Sequence, residues 1–385
     1  MINRTIQKPL SDSFADSSTV TLLYGPRQAG KTTLLREIIG GYDQAKIEYF
    51  SGDDLFVQET FGRHELEALS RVVSGKDIVI VDEAQRIENI GLSAKLLVDM
   101  LLTKVVLSGS SSFELSNRVS EPLTGRTKTF HLHPLSWAEV SDSYRTTRPE
   151  NALEDMLRFG MYPRVRTLPN DAEKESYITE YLNNYLSKDI LIFDDIRKPK
   201  KVIDLLTLLA LQVGNEVSVA ELSRHLSLSQ QTVERYLDIL EKMFVIVNLR
   251  GFSRNLRKEI SKTSKYYFTD VGLRNAVIRN FNPLRLRNDA GALFENWFIL
   301  ERMKRLGNAG IPTRFYFWRT YDQQEIDLIE ERSGTLTGYE CKYASGKGIK
   351  PPRDWSATYP DARFIPVVGA DAFALLEGEA VVDSR

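Results

Sequence analysis

The chain reads as an α/β protein: a parallel sheet in its first part, a helical middle, and a second, smaller α/β region at the C-terminus. Three observations predict this. A complete G-x-x-x-x-G-K-[ST] loop, Gly25-Pro26-Arg27-Gln28-Ala29-Gly30-Lys31-Thr32, stands between an apolar run and an amphipathic one. The apolar run Ile78-Val79-Ile80-Val81 ends in Asp82-Glu83, with Asp82 fifty positions after Thr32. Near the C-terminus a helix carrying Glu295 precedes one strand with Asp327 and another with Glu340-Cys341-Lys342. At 385 residues the chain exceeds what one core usually serves, so two or three domains are expected.

Thr21-Leu22-Leu23-Tyr24 forms a short buried strand before the loop, and Thr33-Leu34-Leu35-Arg36-Glu37-Ile38 opens a helix after it. Glycines let the backbone turn its N–H groups towards phosphates, the helix N-terminus adds its dipole, and Lys31 adds a point charge. The nucleotide-binding set is therefore Gly25, Pro26, Arg27, Gln28, Ala29, Gly30, Lys31, Thr32 and Thr33, with the Thr32 hydroxyl as a ligand for Mg²⁺. The bland alternative is a glycine-rich turn joining a strand to a helix.

The second strand, 77–83, has the Walker B pattern: buried apolar residues, then carboxylates emerging at the C-terminal edge where ligands of open α/β sheets bind. Asp82 is expected to hold Mg²⁺ and Glu83 to activate the attacking water. A solvated acidic turn is the simpler reading. A third strand, Lys104-Val105-Val106-Leu107, runs into Ser108-Gly109-Ser110-Ser111, where Ser108 and Ser110 are either γ-phosphate contacts or plain turn residues. Arg126 is a candidate charge-stabilising arginine, in its own chain or on a neighbour, or else a surface arginine. His131 and His133 share a strand face with no third ligand nearby in sequence, which favours structural roles.

These residues resemble the bacterial and archaeal AAA-type P-loop ATPases that carry an uncharacterised nuclease-like C-terminal domain. The matching motifs are Gly25 to Thr33, Val81-Asp82-Glu83-Ala84-Gln85, Leu107 to Ser111 and Leu123-Thr124-Gly125-Arg126. Pro134-Leu135-Ser136 and Arg158-Phe159-Gly160-Met161-Tyr162-Pro163 extend the match over nearly the whole chain. The resemblance implies an AAA-like core, residues 1–140, and a small helical lid, residues 141–214.

In the middle, Tyr177, Tyr181, Leu182 and Tyr185 recur at helical spacing and read as packing. Val219 to Leu226 and Gln230 to Phe244 form two amphipathic helices around the turn Ser227-Leu228-Ser229, a helix-turn-helix. The β-like runs Val245 to Leu249 and Lys265 to Phe268 supply a wing, giving a winged helix over 215–285. In a DNA-binding version Gln230, Gln231, Glu234 and Arg235 face a major groove, while Arg254, Arg257, Lys258, Lys262 and Lys265 neutralise phosphates. Glu234 and Asp238 repel phosphate and favour a packing module instead. Ten Lys/Arg between Arg250 and Asn288 against Glu259 and Asp270 make a local net charge of +8, which points to an anionic partner.

Residues 286–385 place Glu295 on a helix, Asp327 on a strand and Glu340-x-Lys342 on the next, an order that resembles the PD-(D/E)xK, restriction-endonuclease-like core. Residues two apart on a strand share a face, so Glu340 and Lys342 can serve one site. Asp327 and Glu340 are then the metal ligands, Glu295 completes the cluster and Lys342 positions water or stabilises charge. Glu325 competes with Asp327 for its role, and solvated strand charges are the alternative to any site.

The single cysteine, Cys341, excludes an intramolecular disulfide and a multi-cysteine zinc site. No run of 18 apolar residues and no signal-peptide pattern occurs, so a cytoplasmic protein without membrane spans is expected. The expected cofactors are ATP and Mg²⁺, and the expected partner is nucleic acid, DNA before RNA; a homo-oligomer is compatible with the sequence. Two functions fit. In one, ATP hydrolysis controls a DNA-directed, Mg²⁺-dependent nuclease module. In the other, ATP switches a DNA- or protein-binding regulator whose nuclease-like domain is catalytically silent.

Overall fold

The apolar runs form strands covered on both faces, and their alternation sets which face each residue serves. The computed structural model describes residues 2–16, 18–110, 123–185, 198–252, 264–344 and 348–378. Its chain divides into two compact units, the first comprising residues 1–133 with 242–244, the second residues 134–241 and 245 onward.

In the first unit the order is α1 (Gln7–Ser13), β1 (Val20–Tyr24), α2 (Lys31–Ile39), β2 (Ile47–Ser51), α3 (Leu55–Gly62), α4 (Leu66–Val72), β3 (Ile78–Asp82), α5 (Ile90–Leu101), β4 (Lys104–Gly109) and β5 (Thr127–His131). The strands lie in the order β2-β3-β4-β1-β5, all parallel. Side chains two apart fall on one face: Val79 and Val81 pack with Leu22, Leu107, Phe61 and Leu97, whereas Ile78 and Ile80 pack with Leu23, Val106, Leu34 and Leu35. Because every strand runs the same way, their C-terminal ends share one edge. The loop after β1, the acids after β3 and the serines of β4 all emerge there.

The second unit opens with helices: α6 (Trp137–Val140), α7 (Pro149–Phe159), α8 (Pro163–Thr167), α9 (Asp171–Tyr185) and α10 (Pro199–Leu211). Proline starts α7, α8 and α10, where its missing N–H costs nothing. Then come β6 (Glu216–Val217), α11 (Val219–Leu226), α12 (Gln230–Lys242), β7 (Ile246–Gly251), β8 (Ser264–Phe268) and α13 (Val271–Val277). The unit ends with α14 (Ala290–Asn308), β9 (Arg314–Arg319), β10 (Glu325–Arg332), β11 (Thr335–Lys342), α15 (Arg353–Thr358), β12 (Arg363–Val368) and α16 (Ala372–Gly378).

Residues 215–285 and 286–385, expected as separate modules, contribute strands to one sheet, ordered β12-β11-β10-β9-β7-β8-β6. The join is the parallel pair β7–β9, with Arg250 opposite Tyr316 and Gly251 opposite Phe317. Phe252 N–H extends it by donating to the Phe317 carbonyl at 2.6 Å. The pairing satisfies edge groups that each hairpin alone would leave open.

Two motifs outside the loop and Walker B strand find structural explanations here. Gly160 has φ +73°, and a Cβ there would lie 1.9 Å from Asp270 Oδ1. Asp270 accepts from Met161 N–H at 2.6 Å and caps α13 through Leu273 N–H at 3.1 Å. Asn275 donates to the carbonyls of Leu157 and Arg158 at 2.8 and 2.9 Å. Arg158 to Pro163 is thus the seat of α13. Leu135, of the Pro134-Leu135-Ser136 motif, accepts from Lys304 Nζ at 2.9 Å, while Trp137 N–H donates to Glu301 at 2.7 Å, fastening this segment to α14. In α9, Tyr181 and Leu182 are buried, and the Tyr181 hydroxyl lies 3.1 Å from that of Tyr162.

Candidate functional site

Gly25 has no room for a side chain, since a Cβ would stand 2.1 Å from the Leu132 carbonyl oxygen. Gln28 and Gly30 then take left-handed φ values of 58° and 99°, the alternation that curls backbone into an anion-binding nest. Only Gly30 does so without side-chain strain. Lys31, buried at the start of α2, reaches back across the loop and donates to the carbonyls of Gly25 and Pro26 at 2.8 and 3.2 Å. Arg4 braces the same loop from outside, donating to Ala29 O at 2.7 Å and His133 O at 2.6 Å.

Asp82 terminates β3 beside this loop. It accepts hydrogen bonds from Thr32 Oγ1 at 2.6 Å, Tyr49 OH at 2.7 Å and the Ser108 hydroxyl. Burial disfavours its charge most, but the three hydroxyls and the Lys31 ammonium outweigh burial and hold its pKa below the ordinary value. Asp82 is therefore an ionised carboxylate surrounded by neutral donors. Thr32 and Asp82 would hold Mg²⁺, which supplies charge neutralisation for phosphate oxygens when bound; their convergence on one point fits that ion. Glu83 has φ 50°, and its Oε2 accepts from Gln85 Nε2 at 2.5 Å and lies 3.2 Å from Ser110 Oγ. Gly52 lies under it, where a Cβ would meet the Glu83 carbonyl oxygen at 2.3 Å.

Lys31, Thr32, Asp82 and Glu83 come together as expected from their strand ends. Ser108 is fully buried and turned towards Asp82 rather than outward as a phosphate contact, while Ser110 serves Glu83. Thr33 is exposed on α2. Arg126 is not brought to the site. It precedes β5 beside Val20, at the strand edge opposite the loop, and pairs with Asp99. Five residues of strand separate the edges by about 17 Å, too far for a role within its own chain's site. Ser111 lies outside the described residues. Tyr49, Arg4 and Gly52 have no motif; only the period of β2, which places Tyr49 on the Asp82 side, hints at the first.

The second unit holds another carboxylate cluster. β10 and β11 pair Leu328 with Tyr339, so Asp327 and Glu340 follow one step beyond, opposite each other. The β9–β10 register slips by one residue between Ile326 and Ile329, a bulge at Asp327-Leu328. Cys341 N–H donates to Asp327 Oδ2 at 2.7 Å, and Lys342 Nζ to Glu340 Oε1 at 2.7 Å, the shared face predicted for residues two apart. Glu295, on α14, accepts from Tyr267 OH at 2.5 Å and Lys265 Nζ at 3.4 Å. Glu325 does not compete with Asp327; it pairs with Lys265 instead. Burial, then the charges of Glu295 and Glu340, push Asp327's pKa well above the ordinary value.

One oxygen of the cluster, Glu340 Oε2, is buried with no hydrogen-bond partner among the described residues, but the set as a whole does not fit a divalent ion. Among the described residues no group of three or more His, Cys, Asp or Glu side chains could hold a metal. Glu295 is committed to Lys265 and Tyr267, and Asp327 to the β11 backbone. His131 and His133 stack on each other, centroids 6.4 Å apart, and among the described residues no metal-holding group of three includes them.

The helix-turn-helix segment leaves Gln230, Gln231, Glu234 and Arg235 exposed, while Val233, Tyr236, Leu237 and Leu240 of α12 are buried. Ser229 caps α12 through Thr232 N–H at 3.1 Å. The basic stretch is less available than its count suggests. Lys265 is buried against Glu295 and Glu325, which corrects its reading as a phosphate contact. Arg274 and Arg287 pair with Asp289, one residue past the counted window. Arg254, Arg257, Lys258 and Lys262 lie outside the described residues. No described helix is long and apolar enough to cross a membrane.

Residues 17–141 match the family model described as AAA domain. Residues 150–284 and 290–382 match two domains of unknown function, DUF8612 and DUF4143. The uncharacterised protein Rv2008c of Mycobacterium tuberculosis is 31% identical over 335 residues, covering 86% of this chain and 71% of that protein. The uncharacterised protein MJ1544 of Methanocaldococcus jannaschii is 25% identical over 347 residues, 86% and 75% of the two chains. Among solved structures, AMPPCP-bound DnaA from Aquifex aeolicus is 16% identical, covering 61% of this chain and 86% of that one, with a TM-score of 0.31. A Pyrococcus horikoshii signal-transduction ATPase of the STAND class with a tetratricopeptide repeat sensor is 14% identical, with a TM-score of 0.30. It aligns over 80% of this chain, which spans 47% of that one.

Proposed function

The chain belongs to the family of AAA-domain proteins that includes Rv2008c of Mycobacterium tuberculosis, and from that premise we propose an ATP-hydrolysing switch that controls DNA binding by its second unit. The observation that carries the hydrolytic half is the meeting of Thr32 with Asp82 at 2.6 Å beside a Glu83 carboxylate held by Gln85 and Ser110. Lys31 and the loop hold phosphate oxygens, Asp82 and Thr32 take the ion, and Glu83 accepts a proton from the attacking water. DNA binding is supported by the exposed Gln230, Gln231 and Arg235 on α12. The Asp327-Glu340 cluster is read as catalytically silent, because Lys265 holds Glu295 and Glu325, Lys342 holds Glu340 through Oε1, and Asp327 Oδ2 accepts from the β11 backbone.

The test combines turnover with binding. ATP hydrolysis by the whole chain is measured for the natural protein, Lys31→Ala and Glu83→Gln, and duplex DNA affinity is compared in ATP and in ADP. Equal DNA affinity in the two nucleotides, or turnover untouched by Glu83→Gln, sinks the switch. DNA cut in Mn²⁺ or Mg²⁺ by the natural chain but not by Asp327→Asn sinks the silent reading.

A further inference from the structure

Lys265 is a lysine where none is expected. It sits on β8 with 1% of its side chain exposed, and its Nζ lies 5.4 Å from the centroid of the Phe317 ring on β9. A buried ammonium is costly unless paired and hydrogen-bonded. Its partners are Glu295, from α14, and Glu325, from the start of β10. Tyr267, two residues on and hence on the same face of β8, donates to the same Glu295 oxygen. One strand face of the wing hairpin thus delivers a cation and a hydroxyl to the carboxylate expected to complete a metal site.

An ammonium and a divalent ion compete for the same oxygens. An ion bound to Glu295 Oε1 at about 2.0–2.1 Å would have to displace Tyr267 OH, at 2.5 Å, and Lys265 Nζ, at 3.4 Å. On the far side of the cluster, Lys342 already neutralises Glu340. Three of the four carboxylates (Glu295, Glu325 and Glu340) thereby face built-in cations, Glu325 with Arg319 at 3.9 Å besides Lys265, while Asp327 accepts from the Cys341 backbone N–H.

We infer that Lys265 is the resident counter-cation of this cluster, a protein-supplied ammonium that takes the place of a divalent metal and closes the site to it. The inference rests on the silent reading of the second unit and gives it a cause. It also assigns β8 a task distinct from phosphate contact: it locks α14 to β10 through charge.

The experiment is Mn²⁺ binding to the whole chain without nucleotide, followed by electron paramagnetic resonance. Each protein is compared with its Asp327→Asn counterpart, so that any ion held at Asp82 cancels. The natural chain and Asp327→Asn should bind Mn²⁺ identically. Lys265→Met, which keeps the length but removes the charge, should bind one further Mn²⁺ about tenfold or more tightly than the natural chain. That gain should vanish in Lys265→Met/Asp327→Asn. A folded Lys265→Met without the gain overturns the inference. So does an ion on the natural chain that Asp327→Asn removes, a result that stands even if Lys265→Met does not fold. An Asp327-dependent ion without DNA cleavage overturns the counter-cation alone, whereas Asp327-dependent cleavage overturns the silent reading with it.

Discussion

Two carboxylate centres, one in each unit, solve the same electrostatic problem in opposite ways. Asp82 is surrounded by Thr32, Tyr49 and Ser108, donors without charge. Their hydrogen bonds, together with the charge of Lys31, keep it ionised, while Lys31 itself donates to the loop carbonyls of Gly25 and Pro26. Glu295 and Glu325 instead face Lys265, whose ammonium cancels charge permanently. Neutral donors prepare a carboxylate for a ligand; a fixed cation retires it to structure. The first centre gathers Asp82 and Glu83 and the second four carboxylates, and what distinguishes their chemistry is the partner: hydroxyl donors at one, a fixed ammonium at the other.

The sharpest way to break the contrast is at the first centre. Lys31→Ala should lower ATP turnover about 10³-fold, and Glu83→Gln about 10²–10³-fold, with the thermal midpoint nearly unchanged. A large loss of stability in either variant would show that this centre, too, is structural.

Asp289 offers the matching test of a cation-paired carboxylate. Arg274 and Arg287 hold it from two sides, and against the opposing effect of burial they bring its pKa down to about 2. A depressed carboxyl stabilises the fold above its unfolded pKa of about 4 and loses that stabilisation as pH falls towards about 2. Asp289→Asn should therefore cost about 2 kcal/mol near pH 7, the order set by that shift. The gap in thermal midpoint between variant and natural chain should close as the pH approaches 2. A gap that persists unchanged into acid would mean that packing, not charge, is at work there.

The smallest effect is expected at Tyr49. Tyr49→Phe removes one neutral donor from Asp82 and should raise the Mg²⁺ concentration for half-maximal ATP turnover about tenfold. The maximal rate should stay within a few-fold. A collapse of the maximal rate would place Tyr49 among the reacting groups instead of beside them.

What could be read in the sequence was local. The loop from Gly25 to Thr32, the acids at the end of β3, the turn Ser227-Leu228-Ser229 and the shared face of Glu340 and Lys342 depend on neighbours within a few residues. Partners far along the chain were illegible. Tyr49 reaches Asp82 from another strand, Ser108 turns inward because of where β4 lies, and Arg126 is at the wrong edge only once β1 and β5 are known to be parallel. The +8 stretch misled for the same reason. Lys265, Arg274 and Arg287 are neighbours of like charge along the chain, but each is paired with a carboxylate in the fold.

The two residue pairs between β7 and β9 carry a consequence for anyone handling pieces of this chain. A fragment starting at residue 286 looks self-contained by sequence, yet it would expose the β9 backbone as an open edge and strand Glu295 and Glu325 without Lys265. Such a fragment should aggregate or remain unfolded, whereas one beginning at residue 134 keeps the seven-stranded sheet whole. Fragment boundaries in this family are better drawn by strand neighbours than by position along the chain.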